Sequence, residues 1–234
     1  MSTITLERTV GELVVERPAR ARVFEKLGID YCCGGKKPLA QVCGQKGLDP
    51  RQVINEILAA DTQPMAEEAD WGTATLTELC GNIESTHHAY LKRELPRLEF
   101  LTHKVANAHG SHDARLIDVA RILDGLKAEM LQHMDKEEHI LFPLCRALEH
   151  GSSQTPRGFI NMPIRRMIAE HEDAGNALAE MRRLTDDYSV PPEACNTYRA
   201  MLDSLAVLEK DMHQHVHKEN NILFPRSIAL EEAR

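Results

Sequence analysis

His133-Met-Asp-Lys-Glu137-Glu-His-Ile-Leu-Phe-Pro143 returns later in the chain as His215-Val-His-Lys-Glu219-Asn-Asn-Ile-Leu-Phe-Pro225. Each copy sets a His four residues before a Glu and closes on Ile-Leu-Phe-Pro. On an α-helix, residues four apart share a face one turn apart, so the imidazole and carboxylate of each copy can reach one ion. A duplicated helical hairpin that repeated only its core would keep the apolar residues and not the polar pair. The preserved pair therefore points to two imidazoles and two carboxylates gathered around metal.

Working outward, four long helical patterns follow Thr75. The first opens on a capping box, Thr75-Leu-Thr-Glu78, and runs to about Asn107. The second covers roughly Asp113 to Leu148. The third starts near Asn161, with Pro163 in its first turn, and ends around Tyr188. The fourth begins after Pro191-Pro192 and continues to the C-terminus. Gly, Ser and Pro separate them at Gly110, from Gly151 to Gly158, and from Ser189 to Pro192. Short connections between long helices predict an all-α, up-and-down four-helix bundle over residues 75–234.

If the bundle encloses metal, its first and third helices should each add a donor at the same depth. His88 and His171 fit. The steps from His88 to His133, to His171 and to His215 are 45, 38 and 44 residues. Each suits a run to a helix end, a turn and a return to the same level, at about 1.5 Å of rise per residue. His87 is about 100° around the helix from His88, and His88 matches the hairpin period better. His109 lies roughly 30 Å further along, outside the site unless the helix breaks at Pro96. His139, His213 and His217 are expected to face away, and His150 lies at a helix end. Imidazole and carboxylate without thiolate suit iron, manganese or zinc. Two carboxylates able to bridge, with two histidines per ion, favour a dinuclear centre, and six protein donors are too many for one tetrahedral zinc.

Residues 1–61 form a separate small helical pattern. Thr9-Val-Gly-Glu12 is a capping box, and a helical period then runs through Val14, Val15, Ala19, Val23, Phe24 and Leu27 to Gly28. The glycine-rich loop Asp30-Tyr31-Cys32-Cys33-Gly34-Gly35 follows. Two further helices are expected, one from Pro38 to Cys43 and one opened by Asp49 and Pro50. About 60 residues make a marginal core, so the module should lean on the bundle or on a second copy in a homodimer. Residues 62–74, which hold the only tryptophan, Trp71, look like a linker that is mobile unless Trp71 docks.

Formal charge is −8, and the first 61 residues nearly balance, with nine Lys/Arg against eight Asp/Glu. No basic stripe marks a nucleic-acid partner. No apolar run approaches the roughly 18 residues of a membrane span, and no secretion signal is visible at the start. Six scattered cysteines fit a reduced cytoplasm better than a disulfide scaffold. Cys43, Cys80, Cys145 and Cys195 are expected to be small buried hydrophobes.

Over essentially its whole length the chain resembles the Repair of Iron Centers family, the ScdA/YtfE type. The resemblance rests on Asp30-Tyr31-Cys32-Cys33-Gly34-Gly35, His88 with Leu95-Pro96, His133-x3-Glu137, His171, Pro-Pro-Glu-Ala-Cys195 and His215-x3-Glu219-Asn-Asn-Ile-Leu-Phe-Pro225. It implies a haemerythrin-like bundle behind a cysteine-bearing domain. His88, His133, His171 and His215 would be terminal ligands, and Glu137 and Glu219 bridging carboxylates, of two iron ions joined by an oxide or hydroxide. It also implies repair of iron–sulfur clusters damaged by nitrosative or oxidative stress, by donation of iron to damaged proteins or a cluster scaffold. Cys32 and Cys33 would serve as redox or iron-relay thiols. Nitric oxide binding or reduction at the centre is the alternative, and dioxygen storage a more distant one. Oxygen-carrying haemerythrins have a fifth histidine one turn after that of the third helix, where this chain has Gly175.

Overall fold

The computed structural model describes residues 4–62, 71–151 and 156–234. Among the described residues the structure is helical, and its β-type contact is an isolated bridge between Thr9 and Pro38.

The N-terminal module holds α1 (Val10–Glu16), a 3-10 turn (Pro18–Arg20), α2 (Ala21–Lys26), α3 (Leu39–Lys46) and α4 (Pro50–Asp61). Thr9 caps α1 through the expected reciprocal pair with Glu12. The helical period expected from Val14 to Leu27 is interrupted. Arg17 is extended (φ −149°) because the ring of Pro18 disfavours a helical residue before it, so the chain bends into α2. The bend buries Arg20, whose guanidinium grips Asp61 through two bonds of 2.9 and 2.7 Å and also donates to Leu13 O. Leu13, Phe24, Tyr31, Leu39 and Ile57 fill the core of the module.

The first long rod of the bundle is α5 (Leu76–Ile83), a π turn (Glu84–His88) and α6 (Ala89–His109). The second is α7 (Arg115–Lys136), a π turn (Glu137–Leu141) and α8 (Phe142–Glu149). The third is α9 (Asn161–Leu184). The fourth is α10 (Asn196–Lys218), a π turn (Glu219–Leu223) and α11 (Phe224–Glu232). Pro96 lies inside α6 without ending it. The third rod stops four residues before the expected Tyr188. Asp186, Asp187 and Tyr188 take positive φ values of 50°, 60° and 57°, a conformation that disfavours L-residues. Tyr188 N–H donates to Thr185 Oγ1, and Arg182 pairs with Asp187 and packs over the Tyr188 ring.

Along each rod the buried apolar residues divide into two cores. Leu91, Leu95, Met134, Ala174 and Val216 belong to one, and Ile83, Leu141, Met167 and Ile222 to the other. A buried polar layer lies between them in every rod. The two halves of the bundle are also stitched alike. Glu149, twelve residues after Glu137, accepts from Leu76 N–H and Thr77 N–H at 2.7 and 2.9 Å. Glu231, twelve residues after Glu219, accepts from Gly158 N–H and Ile160 N–H at 2.7 and 3.2 Å. Each carboxylate occupies backbone donors at or just before a helix start.

Most of the expected linker, residues 63–70, lies outside the described residues. Trp71 docks: Arg226 donates to its carbonyl at 3.2 Å, and Lys218 Nζ stands 5.0 Å from its ring centroid. No helix among the described residues is long and apolar enough to cross a membrane.

Candidate metal centre

The structure brings His88, His133, Glu137, His171, His215 and Glu219 together in the polar layer. All six are buried, none more than 1% exposed. Their donor atoms form two groups, His88/His215 and His133/His171, each with both Glu137 and Glu219, and within each group the atoms lie within 4.8 Å of one another. His133 Nε2 and His171 Nε2 are 3.1 Å apart. Glu137 Oε2 lies 3.3 Å from His88 Nε2 and 3.2 Å from His133 Nε2. Glu219 approaches His171 Nε2 and His215 Nε2 at 3.0 Å.

Three of the rods reach this level through a π turn. Ala89, Phe142 and Phe224 each bond back five residues, to Glu84, Glu137 and Glu219. In two rods the cause is visible in the sequence. Pro143 and Pro225 lack the N–H that would bond His139 and Asn221 in a regular helix, so the register can slip there.

Behind the centre, ring nitrogens are held by outer residues. His88 Nδ1 meets Glu138 at 2.7 Å, His133 Nδ1 meets Glu170 at 2.9 Å and His171 Nδ1 meets Asn220 at 2.9 Å. Such contacts fix ring orientation and tautomer. Burial pushes the Glu170 carboxyl up, yet Lys136, Arg166 and His133 hold it down to about 2. His87 is buried but turned from the centre. Its ring nitrogens meet Asp211 and Lys218, both at 2.9 Å, and its face stacks on His215.

At His88, His133, Glu137 and Glu219 burial opposes charge but the partners decide, whereas at His215 burial does. Despite burial, Glu137 raises the His133 imidazole to about 9 and also raises His88. Burial holds His215 below its ordinary value. Burial and Glu219 push the Glu137 carboxyl up, and His133 and His88 more than reverse this. Against burial, His215 and His171 hold Glu219 well below the carboxylate range. Two buried, ionised carboxylates require positive charge beside them. Among the described residues, His88 Nε2, both Glu137 oxygens, Glu219 Oε2 and His215 Nδ1 are buried without a hydrogen-bond partner. The first four belong to the donor groups, and a cation with a preference for nitrogen and oxygen is the partner they fit.

Cys32 and Cys33 stand at the edge of this layer. Cys33 Sγ–H points to His171 O at 3.5 Å. Asn221 Nδ2 donates to Tyr31 O and Cys32 O, both at 3.2 Å, holding the cysteine loop on the fourth rod. The bond to Cys33, then burial, push the Cys32 thiol well above its ordinary range. His217 faces away from the metal layer, as expected, but it is buried against the module, with Nδ1 3.4 Å from Tyr31 O.

His109 remains at the far end of α6, 3.5 Å from Cys195. Cys43, Cys80 and Cys145 are buried, but the expectation for Cys195 fails. It is exposed, because the turn after Pro191-Pro192 leaves it at the surface-facing start of α10. Backbone N–H of Tyr198 and the His109 imidazole hold its thiol below the usual value. Glu170 carries no mark in the sequence as an imidazole partner. Only the residue immediately after each repeated Glu carried a readable signal.

Comparison with known proteins agrees with this geometry. Residues 6–61 match the ScdA N-terminal domain, whose function is undescribed, and residues 82–227 match the hemerythrin HHE cation binding domain. The iron-sulfur cluster repair protein YtfE of Citrobacter koseri is 36% identical over 223 residues, 95% of this chain and 97% of that protein. Its namesakes in Edwardsiella ictaluri and Escherichia coli O157:H7 are 36% and 35% identical, each over 95% of this chain and 97% of the relative. With an ScdA-type module ahead of a hemerythrin HHE bundle, and this likeness along nearly its entire length, the chain belongs to the Repair of Iron Centers family.

Proposed function

We propose that the chain repairs iron–sulfur clusters by supplying iron from a dinuclear centre. The observation that carries this is the sharing of Glu137 and Glu219 by two histidine pairs. That arrangement suits two ions spanned by two carboxylates. His88 and His215 would hold one iron, His133 and His171 the other, with an oxide or hydroxide as a further bridge. Bound there, the iron supplies the material from which a damaged cluster is rebuilt. The relatives' shared name supports this assignment.

The protein's own residues then have distinct tasks. Glu138, Glu170 and Asn220 orient the imidazoles. The two apolar cores exclude water from either side of the polar layer. Cys32 and Cys33, held beside the His171 turn, act as relay thiols between the centre and an acceptor. The acceptor is a damaged iron–sulfur protein or a cluster scaffold in the cytoplasm.

The test is anaerobic. Reduced, iron-loaded protein is mixed with an apo iron–sulfur acceptor, sulfide and thiol, beside a Cys32→Ser/Cys33→Ser variant. Iron should leave the bundle, and the acceptor's cluster should form faster than with the same amount of free iron. The variant should be slower. Full retention of iron by the bundle would overturn donation and leave nitric oxide binding as the function to pursue.

A further inference from the structure

The loop between α2 and α3 assembles a third set of donors that belongs to neither histidine pair. Asp30, Cys32 and Cys33 place a carboxylate oxygen and two sulfurs within 4.8 Å of one another. The sulfurs are 4.0 Å apart, Cys32 Sγ–H donating to Cys33 Sγ, and are not joined in a disulfide. Two thiolates on one tetrahedral ion, each at about 2.3 Å, stand about 3.8 Å apart. The thiols are therefore already close to the separation that a shared cation requires. Asp30 Oδ1 is 3.1 Å from Cys32 Sγ, on the same side of the pair.

The loop is shaped before any ligand arrives. Asp30 accepts from Cys32 N–H at 3.0 Å and Gly34 N–H at 2.8 Å, which fixes the carboxylate over the turn. A Cβ on Gly34 would stand 2.9 Å from Asp30 O, and one on Gly35 would stand 2.5 Å from Asn221 Oδ1. Gly11 is constrained in the same way, 2.6 Å from Asn221 Oδ1. These glycines let the loop close on itself and let Asn221 reach its carbonyls. The result is directional: Asp30 is exposed, Cys32 is buried, and Cys33 rests against His171 O.

A simpler role for Asp30 is to cap its own turn, since its oxygens already accept two backbone N–H groups. That role needs no sulfur neighbour, however: Oδ2 retains a further lone pair, and Oδ1, which also accepts from the Cys32 thiol, recovers one when that thiol loses its proton. Thiolate with one carboxylate suits a thiophilic divalent ion, whereas the bundle's imidazole–carboxylate groups contain no sulfur.

We propose that Asp30, Cys32 and Cys33 form a separate mononuclear site for a thiophilic divalent cation, with Asp30 at its solvent side and the His171 turn behind it. On binding, both thiols lose their protons to solvent, and two metal–sulfur bonds form without any change of oxidation state. The site gives the relay role proposed above a chemical form, and only its physiological meaning rests on that role.

Cobalt(II) added to the reduced full-length chain tests it, because sulfur ligation produces strong near-ultraviolet charge-transfer absorption that imidazole and carboxylate ligation do not. One thiolate-bound cobalt per chain is expected beyond those in the bundle. Asp30→Asn, which preserves an oxygen acceptor for the turn, should weaken this cobalt by at least about tenfold. Cys33→Ser should remove most of the band. Absence of the band while both thiols remain free and reduced overturns the site, and an unchanged affinity in a folded Asp30→Asn variant removes the carboxylate from it. Neither readout involves cluster repair. The site can therefore stand if iron donation fails, and fail if donation stands.

Discussion

The two copies of the repeated stretch do equal work at some positions and divergent work at others. Glu137 and Glu219 enter both donor groups. One residue on, Glu138 holds His88 from behind, and Asn220 does the same for His171. Twelve residues on, Glu149 and Glu231 each receive the start of a neighbouring helical segment. Divergence comes at the second residue after the Glu. His139 is exposed and bonds within its own rod, whereas Asn221 reaches out to the cysteine loop. Duplication thus built a symmetric centre, and divergence at Asn221, together with His217, made one copy the seat of a second domain.

The largest effect that could break this equivalence is at the shared carboxylates. Glu137→Ala and Glu219→Ala should each strip metal from both histidine pairs, read as metal per chain after gel filtration. Retention of a full ion by either variant would mean that the copies are unequal at their centre. Next, Asn220→Leu and Glu138→Leu should each weaken metal retention by about 10- to 100-fold, measured by competition with a chelator. A large loss in one variant alone would confine imidazole orientation to one half.

The divergent position is sharpened by a matched pair of substitutions. Asn221→Ala should cost about 1–3 kcal/mol and speed alkylation of Cys33, while His139→Ala should stay within about 0.5 kcal/mol. Equal behaviour in denaturant and labelling experiments would erase the distinction. The smallest effect concerns the outer stitches. Glu149→Ala should cost about 1 kcal/mol. Burial pushes the Glu149 carboxyl up, but Thr77 and Leu76 hold it lower in the folded chain than unfolded. Its contribution should therefore be complete above the ordinary carboxylate range and fade as pH falls through the folded value. Denaturation midpoints of the wild type and variant should converge in acid.

The depth of the four histidines was legible because hairpin period and helical rise depend on position along the chain alone. His88 could be preferred to His87 on that ground, and the structure turns only His88 toward the two carboxylates. Glu170 was not legible in this way. It reaches His133 from another rod, and which exposed-face residues of two rods come level depends on how the rods pack. The π turns are not legible in apolar periodicity, which does not register a slip from i−4 to i−5 bonding. Pro143 and Pro225 were the available clue. The break at Pro18 is legible by contrast, since a proline restricts the residue before it wherever it falls. Cys195 shows a limit of composition: a thiol's burial depends on whether its helix starts inside or outside the fold.

Gly175 carries one further consequence. A Cβ at that position would lie 3.6 Å from Cys33 Sγ, an ordinary contact, but a ring built on it would extend into the space where the cysteine loop is seated. A fifth bundle imidazole and a docked thiol are therefore rival tenants of one volume. The substitution Gly175→His would not simply add a donor to an otherwise unchanged protein; it would evict its neighbour, and with it the Cys33–His171 contact between the two domains.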